Sequence, residues 1–188
     1  EWRLFFSIYC ETCKCKLLDR CPSCKKPISY HRNNFSKVNN STSACKNLNI
    51  CECNFNLSNS FIDNEISEFE LNFQNYINLT LKNGYNSHSQ YSFLFFRGLS
   101  IIAYSIMRDN TKNKFCDYFK NELKFNFNVS SKRIIEWDIE ERKQAYLMAY
   151  YLLSDWPNRI LHICNDLKIN KTDFYNLPYF IEKQILFR

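Results

Sequence analysis

Glycine and proline are scarce, two and four in 188 residues. That scarcity argues against a sheet built from tight turns and favours helices. Long apolar runs are missing as well. A bilayer-spanning helix needs about 20 consecutive apolar residues, and the longest candidate, Phe93 to Met107, is interrupted by Arg97, Ser100 and Ser105. No signal-peptide pattern stands at the start, where Arg3 precedes only Leu4-Phe5-Phe6 before polar residues resume. A cytoplasmic protein with no membrane partner is therefore expected. Histidine is also rare, at three residues, which limits catalytic metal chemistry.

What is present suits a folded chain. Hydrophobic residues make up 45% and aromatics 17%, too much apolar material for disorder. At this length about 70% of the unfolded surface can be buried. The richness in Asn, Lys, Ile, Phe and Tyr fits the codon bias of an AT-rich genome. Lys and Arg outnumber Asp and Glu by 25 to 19, a net charge of +6. That balance fits a nucleic-acid partner and fits an ordinary basic protein equally well.

The ten cysteines divide the chain. Eight fall in the first 53 residues: Cys10, Cys13, Cys15, Cys21, Cys24, Cys45, Cys51 and Cys53. Cys10/Cys13 and Cys21/Cys24 are C-x-x-C pairs, and Cys51/Cys53 is C-x-C. A tight turn carrying two thiols presents both to one ion, with zinc–sulfur bonds of about 2.3 Å. Two such turns close a tetrahedral site, and its binding energy can fold a segment without a core of its own. Residues 1–58, rich in Asn, Ser and Lys and lacking sustained apolar periodicity, read as such a segment. We expect a zinc-ribbon-like module there. A thioredoxin-like redox site would need a βαβ context that is absent.

The pairing is open at this level. Cys10, Cys13, Cys21 and Cys24 can share one ion. Alternatively Cys21 and Cys24 join Cys51 and Cys53, leaving Cys10 and Cys13 without partners in this sequence. Cys45 and His31 are competing ligands. Catalytic zinc is not expected. No histidine begins an H-x-E with a following P-C-x-x-C, and no H-E-x-x-H occurs. A ββα-metal nuclease at His31 would require a second histidine nearby, and none comes before His88. The chain is expected not to be an enzyme.

Beyond Ser60 a 3.6-residue period takes over. It predicts helices over 61–82, 89–107, about 112–123 and 139–153. Gly84 suits the left-handed position past the first. Asp138 and Glu141 form a capping-box pair for the fourth, with Ile139, Tyr146, Ala149, Tyr150 and Leu153 as its buried stripe. Asp155-Trp156-Pro157 opens a fifth helix, with Ile160, Leu161, Cys164 and Leu167 as its apolar face. Thr172 and Pro178 begin two more. Cys116 and Cys164 read as buried thiols. The expected fold is mainly α, with a helical domain over 59–188 and a possible helix-turn-helix near 157–176, where Lys168 and Lys171 would approach phosphates.

A run of short motifs, in order along nearly the whole chain, resembles the TniQ family. They are Trp2-Arg3-Leu4; Cys10-x-x-Cys13 followed by Leu17-Leu18 and Cys21-Pro22-x-Cys24; Cys53-x-Phe55-x-Leu57; Leu153-x-Asp155-Trp156-Pro157-x-Arg159; and Leu177-Pro178-Tyr179-Phe180. Cys13 stands where that family usually has His. The family's upstream C-x-x-C is not in this sequence, so the resemblance makes Cys10 and Cys13 half of a first zinc site, in a chain expected to be a fragment. Cys21, Cys24, Cys51 and Cys53 would form the second.

The resemblance implies selection of target sites for DNA transposition. Such a protein contacts DNA or an RNA-guided complex and recruits an AAA+ ATPase. Lys25, Lys26 and Arg32, beside the cysteines, and Lys168 and Lys171, in the helical part, are the candidate phosphate contacts. The alternatives are a zinc-dependent protein-interaction adaptor that does not touch DNA, or a zinc-containing nuclease.

Overall fold

The computed structural model describes residues 6–10, 12–28, 49–60, 66–109, 111–123 and 137–170. The chain divides into two compact units, 9–66 and 1–8 together with 67–188. The expected boundary lay at 58/59. The second unit instead begins at Ser67 and also takes in the residues that precede the cysteines. Local contacts account for that. The Ile8 N–H donates to Gln74 Oε1 at 3.0 Å, and the Phe6 ring stacks on Phe96 with centroids 4.2 Å apart.

The helical unit holds five α-helices among the described residues: α1 (Glu68–Asn83), α2 (Ser92–Ile106), α3 (Lys112–Leu123), α4 (Ile139–Leu153) and α5 (Asn158–Asp166). The chain is mainly helical, as its composition predicts. Helix α4 begins and ends where the sequence places it. Asp138 accepts from the Glu140 and Glu141 N–H groups, and Glu141 returns a carboxylate to the Asp138 N–H. Such a cap satisfies N–H groups that have no partner inside the helix.

The first helix starts later than its periodicity suggests. A second capping box sets the start, in which Ser67 accepts from the Glu70 N–H and Glu70 accepts from the Ser67 N–H at 2.7 Å. Ile66 therefore precedes the helix, and the predicted first turns at 61–65 lie outside the described residues. The end follows expectation, with Gly84 at φ 79°. Helix α2 is likewise trimmed, from 89–107 to Ser92–Ile106.

Helix α4 is the centre of the unit. The sequence predicts one buried stripe, yet Ile139, Gln144, Ala145, Tyr146, Leu147, Met148, Ala149, Leu152 and Leu153 are all buried. Past its charged first turns α4 is uncharged from Gln144 to Leu153, as suits a helix surrounded by others, and it packs on α1, α2 and α5. Tyr150 gathers three aromatic side chains of α1: Phe69, Phe73 and Tyr76, with centroids at 5.7, 5.4 and 5.5 Å. Phe119 of α3 meets Tyr151 edge-on at 5.6 Å. Cys116 and Cys164 are half-buried, and burial pushes both thiols up to about 11.

The expected apolar face of α5 is only partly buried. Ile163 is enclosed, Cys164 and Leu167 are half-covered, and Leu161 is 57% exposed. The motif before α5 makes the corner that sets its direction. Arg159 stacks over the Tyr151 ring at 4.4 Å and donates to the Tyr151 carbonyl at 3.1 Å. Its backbone N–H reaches the Asp155 carbonyl.

Buried charge in the bundle is paired. Glu70, 4% exposed, faces the Lys143 ammonium at 3.3 Å, and Glu140 meets the same ammonium at 2.5 Å. Burial alone would lower the Lys143 pKa, but the two carboxylates outweigh it and raise it. Glu70→Gln keeps a side chain that can serve the capping box and removes only the charge. It should lower unfolding stability by about 2 kcal/mol, read by urea denaturation, because one partner of a buried pair is lost. Glu70→Ala should cost about 1 kcal/mol more, because the cap is lost too.

Candidate metal centre

Three short hairpins carry the early cysteines, and all are closed in the same way. In the first, β1 (Tyr9–Cys10) pairs antiparallel with β2 (Cys15–Lys16), placing Cys10 opposite Cys15. The Lys14 N–H donates to the Cys10 carbonyl at 2.8 Å. In the second, Arg20 bridges Pro27, and the Lys25 N–H donates to the Cys21 carbonyl at 2.9 Å. In the third, Ile50 bridges Asn56, and the Asn54 N–H donates to the Cys51 carbonyl at 2.8 Å.

Immediately after the second cysteine of each pair the backbone turns left-handed, with Lys14 at φ 50°, Lys25 at 60° and Asn54 at 64°. Glycine is the usual occupant of that region, and a Cβ there carries a steric cost. Glycine scarcity thus does not exclude tight turns in this chain. Lysine and asparagine take the position instead, which is why composition does not foretell the hairpins.

The second and third hairpins bring four thiols together. The sulfur atoms of Cys21, Cys24, Cys51 and Cys53 all lie within 4.8 Å of one another. Cys21 Sγ is 3.6 Å from Cys53 Sγ, and Cys24 Sγ is 3.6 Å from Cys51 Sγ. Disulfide sulfurs would stand about 2.05 Å apart. A tetrahedral ion with bonds of about 2.3 Å places its sulfurs about 3.8 Å apart. The spacing fits a shared metal ion and excludes two disulfides. Of the two pairings left open by the sequence, this geometry selects Cys21/Cys24 with Cys51/Cys53.

Burial and hydrogen bonding make the four thiols unequal. Cys21 is fully enclosed, Cys51 is 9% exposed, Cys24 is half-buried and Cys53 faces solvent. The Phe55 backbone N–H supports the Cys53 thiolate, and the three neighbouring sulfurs assist it against burial, bringing its pKa down to about 6. The Cys53 backbone also favours ionisation of Cys51. Burial and the surrounding sulfurs overcome that and push Cys51 up to about 12.

Cys10 and Cys13 stand apart from this group. Their hairpin has the same turn, and the Cys13 N–H points to Cys10 Sγ at 3.5 Å. That backbone bond lowers the Cys10 pKa, whereas side-chain bonding to Cys10 leads the causes that raise Cys13. Among the described residues no third and fourth ligand complete a tight cluster with them. The competing ligands His31 and Cys45 lie outside the described residues.

The basic residues chosen from the sequence fall in different settings. Lys25 is exposed at the tip of the second hairpin, and its carbonyl accepts from Arg20 Nη1 at 3.4 Å. Lys26 is exposed and pairs with Glu52 of the third hairpin at 3.8 Å. Lys168, just past α5, is left-handed at φ 51°, and its carbonyl accepts from Lys114 Nζ at 3.2 Å. Arg32 and Lys171 lie outside the described residues, as does everything in the expected helix-turn-helix beyond Asn170. The sequence reading passed over Lys14, exposed at the first hairpin tip, and Lys16 and Arg20 on the hairpin arms. Their signal was adjacency to the cysteines, the same one that singled out Lys25. No described helix is long and apolar enough to cross a membrane.

No protein-family model, curated protein or solved structure matches this chain.

Replacing Cys21 and Cys24 together with serine should abolish metal retention at this cluster. Residues 9–66 should become protease-sensitive while the helical circular dichroism persists. Limited proteolysis with metal analysis checks this, and an intact, metal-bearing double variant would refute the four-cysteine assignment.

Proposed function

We propose that this chain is a TniQ-like target-selection protein of DNA transposition that contacts DNA or a guide complex and recruits an AAA+ ATPase. The observation that carries the reading is the convergence of Cys21, Cys24, Cys51 and Cys53. It is the ligand set that the motif resemblance names, reached from two segments with 26 residues between them. The ion is zinc. Four thiolates with tetrahedral spacing suit it, and among biological ions an all-cysteine site of this kind serves structure rather than catalysis. The chain acts as a binding protein in this reading.

In this reading the metal holds two hairpins rigid, and their basic residues meet phosphates. Among the described residues of that unit the cations are Lys14, Lys16, Arg20, Lys25 and Lys26, against Asp19 and Glu52. Lys26 is available to a phosphate because its bond to Glu52 is long and both partners are solvent-exposed, a kind of pair that contributes little. Cys10 and Cys13 form half of a further zinc site, with the same turn geometry as the complete one. Lys168 and Lys171 would add contacts from the helical unit, where a helix-turn-helix begins with α5.

Duplex-DNA affinity of the zinc-loaded chain should fall steeply as salt rises, because phosphate contacts release counterions. Lys25→Ala with Lys26→Ala should reduce the magnitude of the log–log salt slope by about 2. A folded, zinc-replete sample that fails to bind duplex at low salt would overturn direct DNA contact. It would leave the adaptor reading, in which the chain only joins other proteins.

A further inference from the structure

The solvent-facing side of α2 carries a feature that the zinc module does not use. Phe93 is 62% exposed and Tyr104 is 47% exposed. They are separated by eleven positions, about three helical turns, so they lie about 20° apart around the axis and about 16 Å apart along it. Arg97, exposed, falls between them about 40° from Phe93. Ser100, half-buried, completes the stripe and shares a 3.3 Å contact with the Tyr146 hydroxyl of α4. The opposite side of α2, with Phe95, Phe96, Leu99, Ile102, Ala103 and Ile106, is buried. The two rings are therefore exposed because of the helical phase of the sequence.

The charge that α2 itself places on this face is positive. Arg97 is the sole ionisable residue of α2 apart from Tyr104, and the helix has no carboxylate. Among the described residues Arg97 makes no ion pair. Burial raises the Tyr146 phenol, and the Ser100 contact and the Arg142 charge act against that shift. Arg108 lies half-exposed one turn beyond Tyr104.

We propose that Phe93, Arg97 and Tyr104 form a stacking platform for single-stranded nucleic acid. Flat rings accept bases of any sequence, and the Arg97 guanidinium between them donates to the phosphate backbone. A strand covers the distance between the rings in about five stacked steps of 3.4 Å. A protein partner would be better served by a continuous apolar patch, whereas here a cation and a hydroxyl separate the rings. The inference rests on the nucleic-acid reading above and narrows it to a strand form and a helix face.

The test uses the zinc-loaded full chain with a labelled oligothymidylate and a labelled duplex of equal length, read by fluorescence anisotropy. Phe93→Ala with Tyr104→Ala should weaken oligothymidylate binding at least about tenfold and leave duplex binding unchanged. Tyr104→Phe should retain it, and Arg97→Gln should flatten its salt dependence. All three side chains are exposed, so thermal unfolding should be unaltered, which separates a binding effect from misfolding. Unaltered oligothymidylate binding by the double alanine variant, beside normal duplex binding, would overturn the platform alone. Equal loss on both polymers would overturn stacking as the mechanism. Failure of the unmodified chain to bind either polymer would overturn the platform and the DNA reading together.

Discussion

Sulfur atoms that belong to four separate cysteines do not collect within 4.8 Å of one another unless something holds them there. As thiolates they repel; as thiols they offer one another only weak hydrogen bonds. A divalent cation resolves the conflict by converting mutual repulsion into shared attraction. The described secondary structure of the cysteine-rich unit is a two-residue strand pair, isolated bridges and one 3-10 turn, far too little to bury a core. A metal ion bound at this cluster would make folding and metal binding one event.

The helical unit obeys a different rule. Its stability comes from a helix enclosed on nearly every side and from aromatic rings layered between α1 and α4. Its few buried charges are paired across helices, as Glu70 and Lys143 show. One chain thus combines a cysteine-rich unit, whose four clustered thiols could hold a metal ion, with a larger unit ordered by apolar burial. Removing the metal and mutating the core should act on separate parts.

Much of this was legible in the residues, for identifiable reasons. Asp138 and Glu141 mark a helix start because both ends of the box lie within one turn, and Gly84 marks an end because glycine takes that backbone at no steric cost. The start of α1 was misplaced because Ile62 and Ile66 continue the apolar phase upstream, while Ser67 and Glu70 decide the boundary by hydrogen bonding. Leu161 continues the apolar phase of α5, yet the corner built by Asp155 and Arg159 turns it outward. The burial around α4 was hidden because periodicity reports one stripe and cannot count the neighbours that surround it. The cysteine pairs announced metal chemistry, but separation along the chain could not choose between two pairings. That choice depends on which hairpin tips face each other.

The attachment of Ile8 to Gln74 has a topological meaning. The cysteine-rich unit leaves the helical unit just after Ile8 and rejoins it at Ser67. Gln74 lies seven positions into the chain from Ser67, about 10 Å along a helix. The excursion therefore departs and returns at points that lie close together in the helical unit, the arrangement that lets a whole domain be inserted into another at small entropic cost. The cysteine-rich unit behaves as a cassette: it could be shortened, lengthened or exchanged while the bundle that carries it keeps its fold, and a single cut within it would leave both halves attached to the same support.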